Sequence, residues 1–147
     1  MPTIHASAVL VGPRAVLIRG PSGSGKSRLA LALLQASGRG LLPFARLVVD
    51  DRAFVEAVHG RLLVRCVPAL AGLIEVRGLG LRRVPHEPMA VAGLLVDLGL
   101  ERVDRMPDAA GQKAEIAGIV LPRLAVATGE NPLPALLACL QEVDSAE

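Results

Sequence analysis

One octapeptide constrains this chain more than any other feature: Gly20-Pro-Ser-Gly-Ser-Gly-Lys-Ser27 fits the phosphate-loop pattern G-x-x-x-x-G-K-[ST] at every defined position. The chemistry of such a loop is local. Glycines let the backbone approach a polyphosphate, and the first N–H groups of the following helix converge on one point. The lysine neutralises β- and γ-phosphate oxygens while the final hydroxyl ligates Mg²⁺. The setting fits that reading, because Ala15 to Ile18 reads as a buried strand and Ser27-Arg-Leu-Ala-Leu-Ala-Leu-Leu34 carries leucines at helical spacing. Lys26 is one of only two lysines in the chain, which makes a chance lysine in a glycine-rich turn a poor explanation. The expected ligands are ATP and Mg²⁺, cradled by Gly20, Pro21, Ser22, Gly23, Ser24, Gly25, Lys26 and Ser27.

A length of 147 residues suits a single domain able to bury a core without disulfide or metal staples, so 1–147 is expected to be one catalytic P-loop domain. Aromatic residues make up 1% of the chain, leaving few platforms on which bases could stack. The 16 basic residues are scattered and the net charge is only +2, so no nucleic-acid partner is expected. No basic n-region opens the chain, and every apolar run is cut by Gly, Pro or Arg below membrane-spanning length. A soluble, cytoplasmic protein without a membrane partner is the expectation. Cys66 and Cys139 lack metal-ligand spacing and read as buried thiols.

Elements alternate along the chain without internal repeats. Strands are expected at His5 to Leu10 and Ala15 to Ile18, joined at Val11-Gly-Pro-Arg14, with the loop helix running to about Ser37 and stopped by Gly38 and Gly40. Arg46 to Val49 reads as a central strand delivering Asp50 and Asp51 at its end. Phe54 to Val58 and Arg61 to Arg65 flank His59-Gly60 as a β-hairpin. Pro68 opens a short helix leading to an extended Ile74 to Gly80, with further strands at Val91 to Leu98 and Leu124 to Ala127. Asn131-Pro132 caps a closing helix over Leu133 to Val143. The expected fold is α/β: a P-loop NTPase-like domain with a mixed central sheet, flanking helices and a β-hairpin.

Phosphoryl transfer also needs a metal-side carboxylate and a group that orients or deprotonates the nucleophile. Adjacent residues at a strand end point to opposite sides, so one of Asp50 and Asp51 can face the metal while the other faces an acceptor hydroxyl. In Ile74-Glu-Val-Arg-Gly-Leu-Gly80 an extended backbone would put Glu75 and Arg77 on one side, a carboxylate for the metal and a guanidinium for phosphate oxygens. Glycines 78 and 80 would permit close approach to a ligand.

These segments resemble the catalytic domain of bacterial HPr kinase/phosphorylase, the P-loop enzymes that phosphorylate a serine of the phosphocarrier HPr in the phosphotransferase system. The resemblance rests on His5, the loop, Leu47-Val-Val-Asp-Asp-Arg52, Glu75-Val-Arg-Gly-Leu-Gly80, Val103-Asp-Arg105 and Leu121-Pro-Arg-Leu-Ala-Val-Ala-Thr-Gly129, in the family's order. It implies a serine kinase with Asp51 as the catalytic aspartate and Lys26 as the loop lysine. Ser27 and Glu75 become magnesium ligands and Asp50 a partner of the metal or its waters. His5 and Arg105 join Arg77 at the active site, Arg105 to steady the transferring phosphate. HPr or an HPr-like carrier is the implied partner, and the implied assembly is a homohexamer. The chain reads as a minimal version lacking the N-terminal domain, with the stretch from Gly80 to Asp104 shortened.

Two departures stand out. Ala127 and Glu130 replace basic residues of the segment associated with the reverse, phosphorolytic reaction, which implies weak phosphorylase activity. The acidic tail Glu142 to Glu147 replaces a basic one near the surface implied to dock HPr. From the residues alone, two other classes stay open: a small-metabolite P-loop kinase, and a regulatory module that binds nucleotide without turning it over.

Overall fold

A computed structural model describes residues 3–141. The acidic tail and the last residues of the expected closing helix lie outside them. The strands are β1 (Thr3–Val11), β2 (Arg14–Arg19), then, after helix α1 (Lys26–Gly38), β3 (Ala45–Val49), β4 (Arg52–Val58) and β5 (Arg61–Cys66). A 3-10 turn at Pro68–Leu70 leads to β6 (Leu73–Val76), β7 (Gly80–Arg83), β8 (Met89–Leu100), β9 (Lys113–Ile116), β10 (Ile119–Ala127) and helix α2 (Leu133–Gln141).

Eight strands form one mixed sheet, while β6 and β7 pair only with each other. The twelve-residue β8 is its spine. It runs antiparallel to β5 at its start and parallel to both β2 and β10 further on, so β2, β1, β4, β5 and β8 close into a circuit. Successive side chains of β1, β2, β3 and β8 enter two different cores, whereas β4 and β5 bury side chains in the first core alone. Ala6, Ala8, Leu17, Val48, Val55, Leu62, Val64 and Leu95 build one; Val9, Val16, Ile18, Leu47 and Val96 build the other with Leu29 and Leu33 of α1 and Leu136 of α2. In β1, β2, β3 and β8 both faces are buried, which is why they read as unbroken apolar runs, while β4 and β5 alternate.

Helix α1 buries Lys26, Leu29, Ala30, Leu33 and Ala36, a stripe at helical spacing. Its end is a Schellman motif: Gly40 adopts φ +78, its N–H donates to the Ser37 carbonyl, and the Leu41 N–H donates to the Ala36 carbonyl. The β4–β5 turn places His59 at φ +51 and Gly60 at φ +77, the primed geometry that matches strand twist.

Three expectations are corrected. β3 is not central: it pairs with β1 on one edge, and its other edge meets only an isolated bridge from Leu47 to His86. β1 carries two partners on that side in succession, β4 along its first residues and β3 along its last, and strand order of this kind leaves no trace in local sequence. The segment from Ile74 to Gly80 is not continuously extended. It turns after Val76, with the Leu79 N–H donating to the Val76 carbonyl at 2.9 Å, and returns as β7. Gly78 and Gly80 serve this reversal, at φ +87 and +85 with open space around them. Finally, Cys66 is buried but Cys139 is exposed, because α2 buries only Leu136 fully.

Candidate active site

The loop begins where β2 ends. A Cβ at Gly20 would lie 2.6 Å from Ser24 Oγ and 3.0 Å from the Leu98 carbonyl, so only glycine lets the loop fold back onto β8. Gly25 precedes α1 at φ +100, and no side chain caps the helix. Its first-turn N–H groups therefore face outward with the positive end of the helix dipole behind them, a cradle suited to phosphate. Lys26 is 7% exposed, and its Nζ donates to the Gly20 and Pro21 carbonyls at 2.9 and 3.2 Å, bracing the loop from within.

Asp50 is the hub beneath the loop. Its carboxylate accepts from the Ser27 hydroxyl at 2.7 and 2.9 Å, from the Ser7 hydroxyl at 2.7 Å and from the Glu75 N–H at 3.1 Å. With its proton committed to Asp50, the Ser27 oxygen keeps lone pairs for a hard cation. Among the described residues no group of three or more His, Cys, Asp or Glu forms a metal site of its own. That donor set fits Mg²⁺ held largely by phosphates and water, with Ser27 and one carboxylate completing its shell.

Asp51 sits beside this hub at φ +73, a conformation that non-glycine residues rarely adopt. Two bonds fix it: its N–H donates to Ser7 Oγ at 3.1 Å, and its carbonyl accepts from the Ala6 N–H at 3.0 Å. Ser7 is fully buried. It is thus a positioning residue that the sequence reading missed, and a lone hydroxyl within the apolar run of β1 was its only signal.

Asp51, Glu75 and Arg77 line one cleft of about 470 Å³ together with Lys26, Ser27, Arg28 and the loop glycines. The turn after Val76 does not remove Arg77 from the site; it brings Arg77 to the cleft by a different backbone path. A second cleft, of about 530 Å³, shares Gly23, Gly25 and Arg28 with the first and extends to Gly99 and the segment Ala127 to Leu133. His5 and Arg105 line neither of these clefts. His5 is exposed on β1, opposite Arg52, and Arg105 is exposed in the loop after β8.

Just below the loop, Asp97 of β8 is clamped by two arginines. Arg19 donates from Nε at 2.7 Å and Nη2 at 3.1 Å, and Arg123 of β10 donates from Nε. Burial pushes the Asp97 carboxyl up, but the hydrogen bonds from Arg19 and Arg123, with their charges, outweigh it and hold the group below the usual carboxylate range. The same bond raises the Arg19 guanidinium. Three parallel strands are thereby locked at the ends that support the loop.

Residues 2–86, which contain the loop, the Asp50 hub and Glu75, match the family model described as the HPr serine kinase C-terminal domain. The chain belongs to that family. The HPr kinase/phosphorylase of Clostridium beijerinckii is 40% identical over 78 residues, covering 53% of this chain and 24% of its own length. That of Limosilactobacillus reuteri is 33% identical over 142 residues, covering 88% of this chain and 42% of its own. The chain thus spans less than half the length of these curated relatives. Among solved structures, the HPr(Ser) kinase/phosphatase from Coxiella burnetii superposes with a TM-score of 0.73 at 26% identity, over 95% of this chain and 88% of that one. The α/β architecture of this chain, with its mixed sheet and phosphate loop, is that of the HPr kinase catalytic domain. No described helix is long and apolar enough to cross a membrane.

Proposed function

We propose that this chain is an ATP- and Mg²⁺-dependent serine kinase acting on HPr or an HPr-like phosphocarrier. The observation that carries this reading is the shared cleft: Asp51, Glu75 and Arg77 face the same space as Lys26, Ser27 and the uncapped start of α1. A polyphosphate lies along the loop amides, and the nucleoside extends past Arg28 into the second cleft. Ser27, held by Asp50, and Glu75 provide the protein ligands to Mg²⁺. When bound, the ion neutralises charge on the phosphate oxygens.

The acceptor serine enters beside Asp51. Its oxygen attacks the γ-phosphorus as the bond to the β–γ bridging oxygen breaks, its proton passes to the Asp51 carboxylate, and ADP departs with the bridging electrons. Lys26 and Arg77 stabilise charge on the transferring group. Roles for His5 and Arg105 are part of the same proposal, and both would have to reach the reacting atoms from outside the cleft. The reverse reaction should be weak, since Ala127 and Glu130 offer inorganic phosphate no cation. Pyrophosphate release from phosphoserine-HPr in high phosphate measures it.

Incubation with γ-labelled ATP and purified HPr, beside an Asp51→Asn variant, tests the main reading. Label should appear on a serine of HPr and vanish with the variant. A protein that binds ATP yet leaves HPr unlabelled refutes it, and label that persists in the variant removes Asp51 from its role.

A further inference from the structure

The β6–β7 hairpin is anchored on one side and bare on the other. Ile74 of β6 is fully buried among the α1 leucines, and Glu75, Val76 and Arg77 line the loop cleft. All four residues of β7 are exposed. Leu79 at the turn and Leu81 on β7, either side of Gly80, are large apolar side chains 59% and 63% exposed. Arg82 and Arg83 follow them. Among the described residues neither arginine has a carboxylate within ion-pair distance, and Arg82 bonds only the Leu81 carbonyl. Within the hairpin, Arg77, Arg82 and Arg83 stand against the single carboxylate Glu75, so its charge is locally unbalanced in a chain of net charge only +2.

Exposed leucines rimmed by unpaired arginines, next to a catalytic cleft, have the composition of a protein-binding surface. A small metabolite filling the cleft would not reach Leu81 or Arg83 on the outer strand. The cations also select the sign of what binds, because an acidic surface supplies the missing counter-charges and a basic one is repelled.

Resting on the kinase reading above, we propose that the β6–β7 hairpin is the docking platform for the acceptor protein. Arg82 and Arg83 meet acidic side chains, and Leu79 and Leu81 cover a small apolar patch, beside the serine that enters the cleft. The carboxylates Asp51 and Glu75 face the cleft, so attraction for an acidic partner is placed on the hairpin while the base stays at the reaction centre.

The test uses the full chain, HPr as probe, and two double variants, Arg82→Glu/Arg83→Glu and Leu79→Ser/Leu81→Ser. Steady-state transfer and the binding of fluorescently labelled HPr are both measured. The charge reversal should raise the KM for HPr about tenfold or more and weaken binding in step, while kcat at saturating HPr and the KM for ATP stay as in the wild type. Wild-type KM should rise with salt, and the reversed variant should lose that dependence. The serine pair should raise KM without altering the salt dependence. Wild-type KM and binding in both variants overturn the docking assignment while the kinase reading stands. Tight HPr binding that the variants abolish, without any transfer by the wild type, refutes the kinase reading and leaves the docking surface in place. Absence of HPr binding to the wild type overturns the docking surface itself.

Discussion

The Ser27 hydroxyl stands 2.7 and 2.9 Å from the two carboxylate oxygens of Asp50, joining the end of the phosphate loop to the end of β3. Ser7 and the Glu75 N–H converge on the same carboxylate, so one side chain ties β1, β3, α1 and β6 together. Removing it leaves several donors without an acceptor. Asp50→Ala should therefore cost about 2–3 kcal/mol of stability as well as transfer activity. Ser7→Ala should cost about 1–2 kcal/mol, because it orphans the Asp51 N–H. Urea unfolding of both single variants and the double variant decides it. Strict additivity would show that Ser7 and Asp50 do not act as a unit.

Asp51 stores strain at the point where chemistry is proposed. A non-glycine residue at φ +73 costs on the order of 1 kcal/mol or more, and glycine adopts that angle freely. Asp51→Gly should raise the denaturation midpoint, by about 1 kcal/mol in stability, while eliminating transfer. Asp51→Ala should also eliminate transfer, because it loses the carboxylate, but should bring no such gain in stability, because it keeps the strained backbone. If Asp51→Gly were less stable than the wild type, the side chain and not the backbone would be holding the turn.

The arginine clamp on Asp97 fixes the direction of the acid response. A carboxyl held below its unfolded value contributes stability that is fully present above that unfolded value, about 3.9, and is lost as pH falls through the lower folded one. Stability from this group should accordingly be flat from neutral pH down to roughly pH 5 and decline only in stronger acid. Asp97→Asn should cost on the order of 2 kcal/mol at neutral pH, less than for a fully buried pair because Arg19 and Arg123 reach solvent. It should also flatten the acid limb. A variant with an unchanged acid limb would move that dependence to other carboxylates.

The phosphate loop, its flanking strand and helix, the His59-Gly60 hairpin and the Asn131 start of α2 were legible because each rests on local chemistry: glycine angles, turn residues, helical spacing, a side-chain oxygen meeting an N–H. The Leu133 N–H does donate to Asn131 Oδ1, at 3.2 Å. The pairing of β3 and the closed circuit through β8 depend on contacts between distant segments, which no window of sequence records. β9 was missed for a local reason, since its turn into β10, Ala117-Gly118, puts alanine at φ +52 where asparagine or aspartate before the glycine would have marked a hairpin. At the site, Asp50 and Asp51 could be named from their place at a strand end, but not which faced the loop serine. That choice is made by Ser7, which holds the Asp51 backbone and the Asp50 carboxylate at once.

Two arginines share an expected duty that the structure divides unequally. Arg77 lines the cleft with Asp51 and Lys26, whereas Arg105 sits exposed outside it. A guanidinium contributes to transfer only if it contacts the phosphoryl oxygens, so Arg77→Ala should lower kcat by about 100-fold or more, the scale of losing one stabilising donor. Arg105→Ala should cost less unless its loop closes over bound nucleotide. The two cases differ in a measurable way. If Arg105 acts only on closure, its loss should depress kcat while leaving nucleotide affinity unchanged, and Arg105 should become protected from proteolytic cleavage when ATP and Mg²⁺ are added. Equal kcat losses for both variants, without such protection, would show that Arg105 already reaches the reaction centre and that the cleft seen here is not the reacting arrangement.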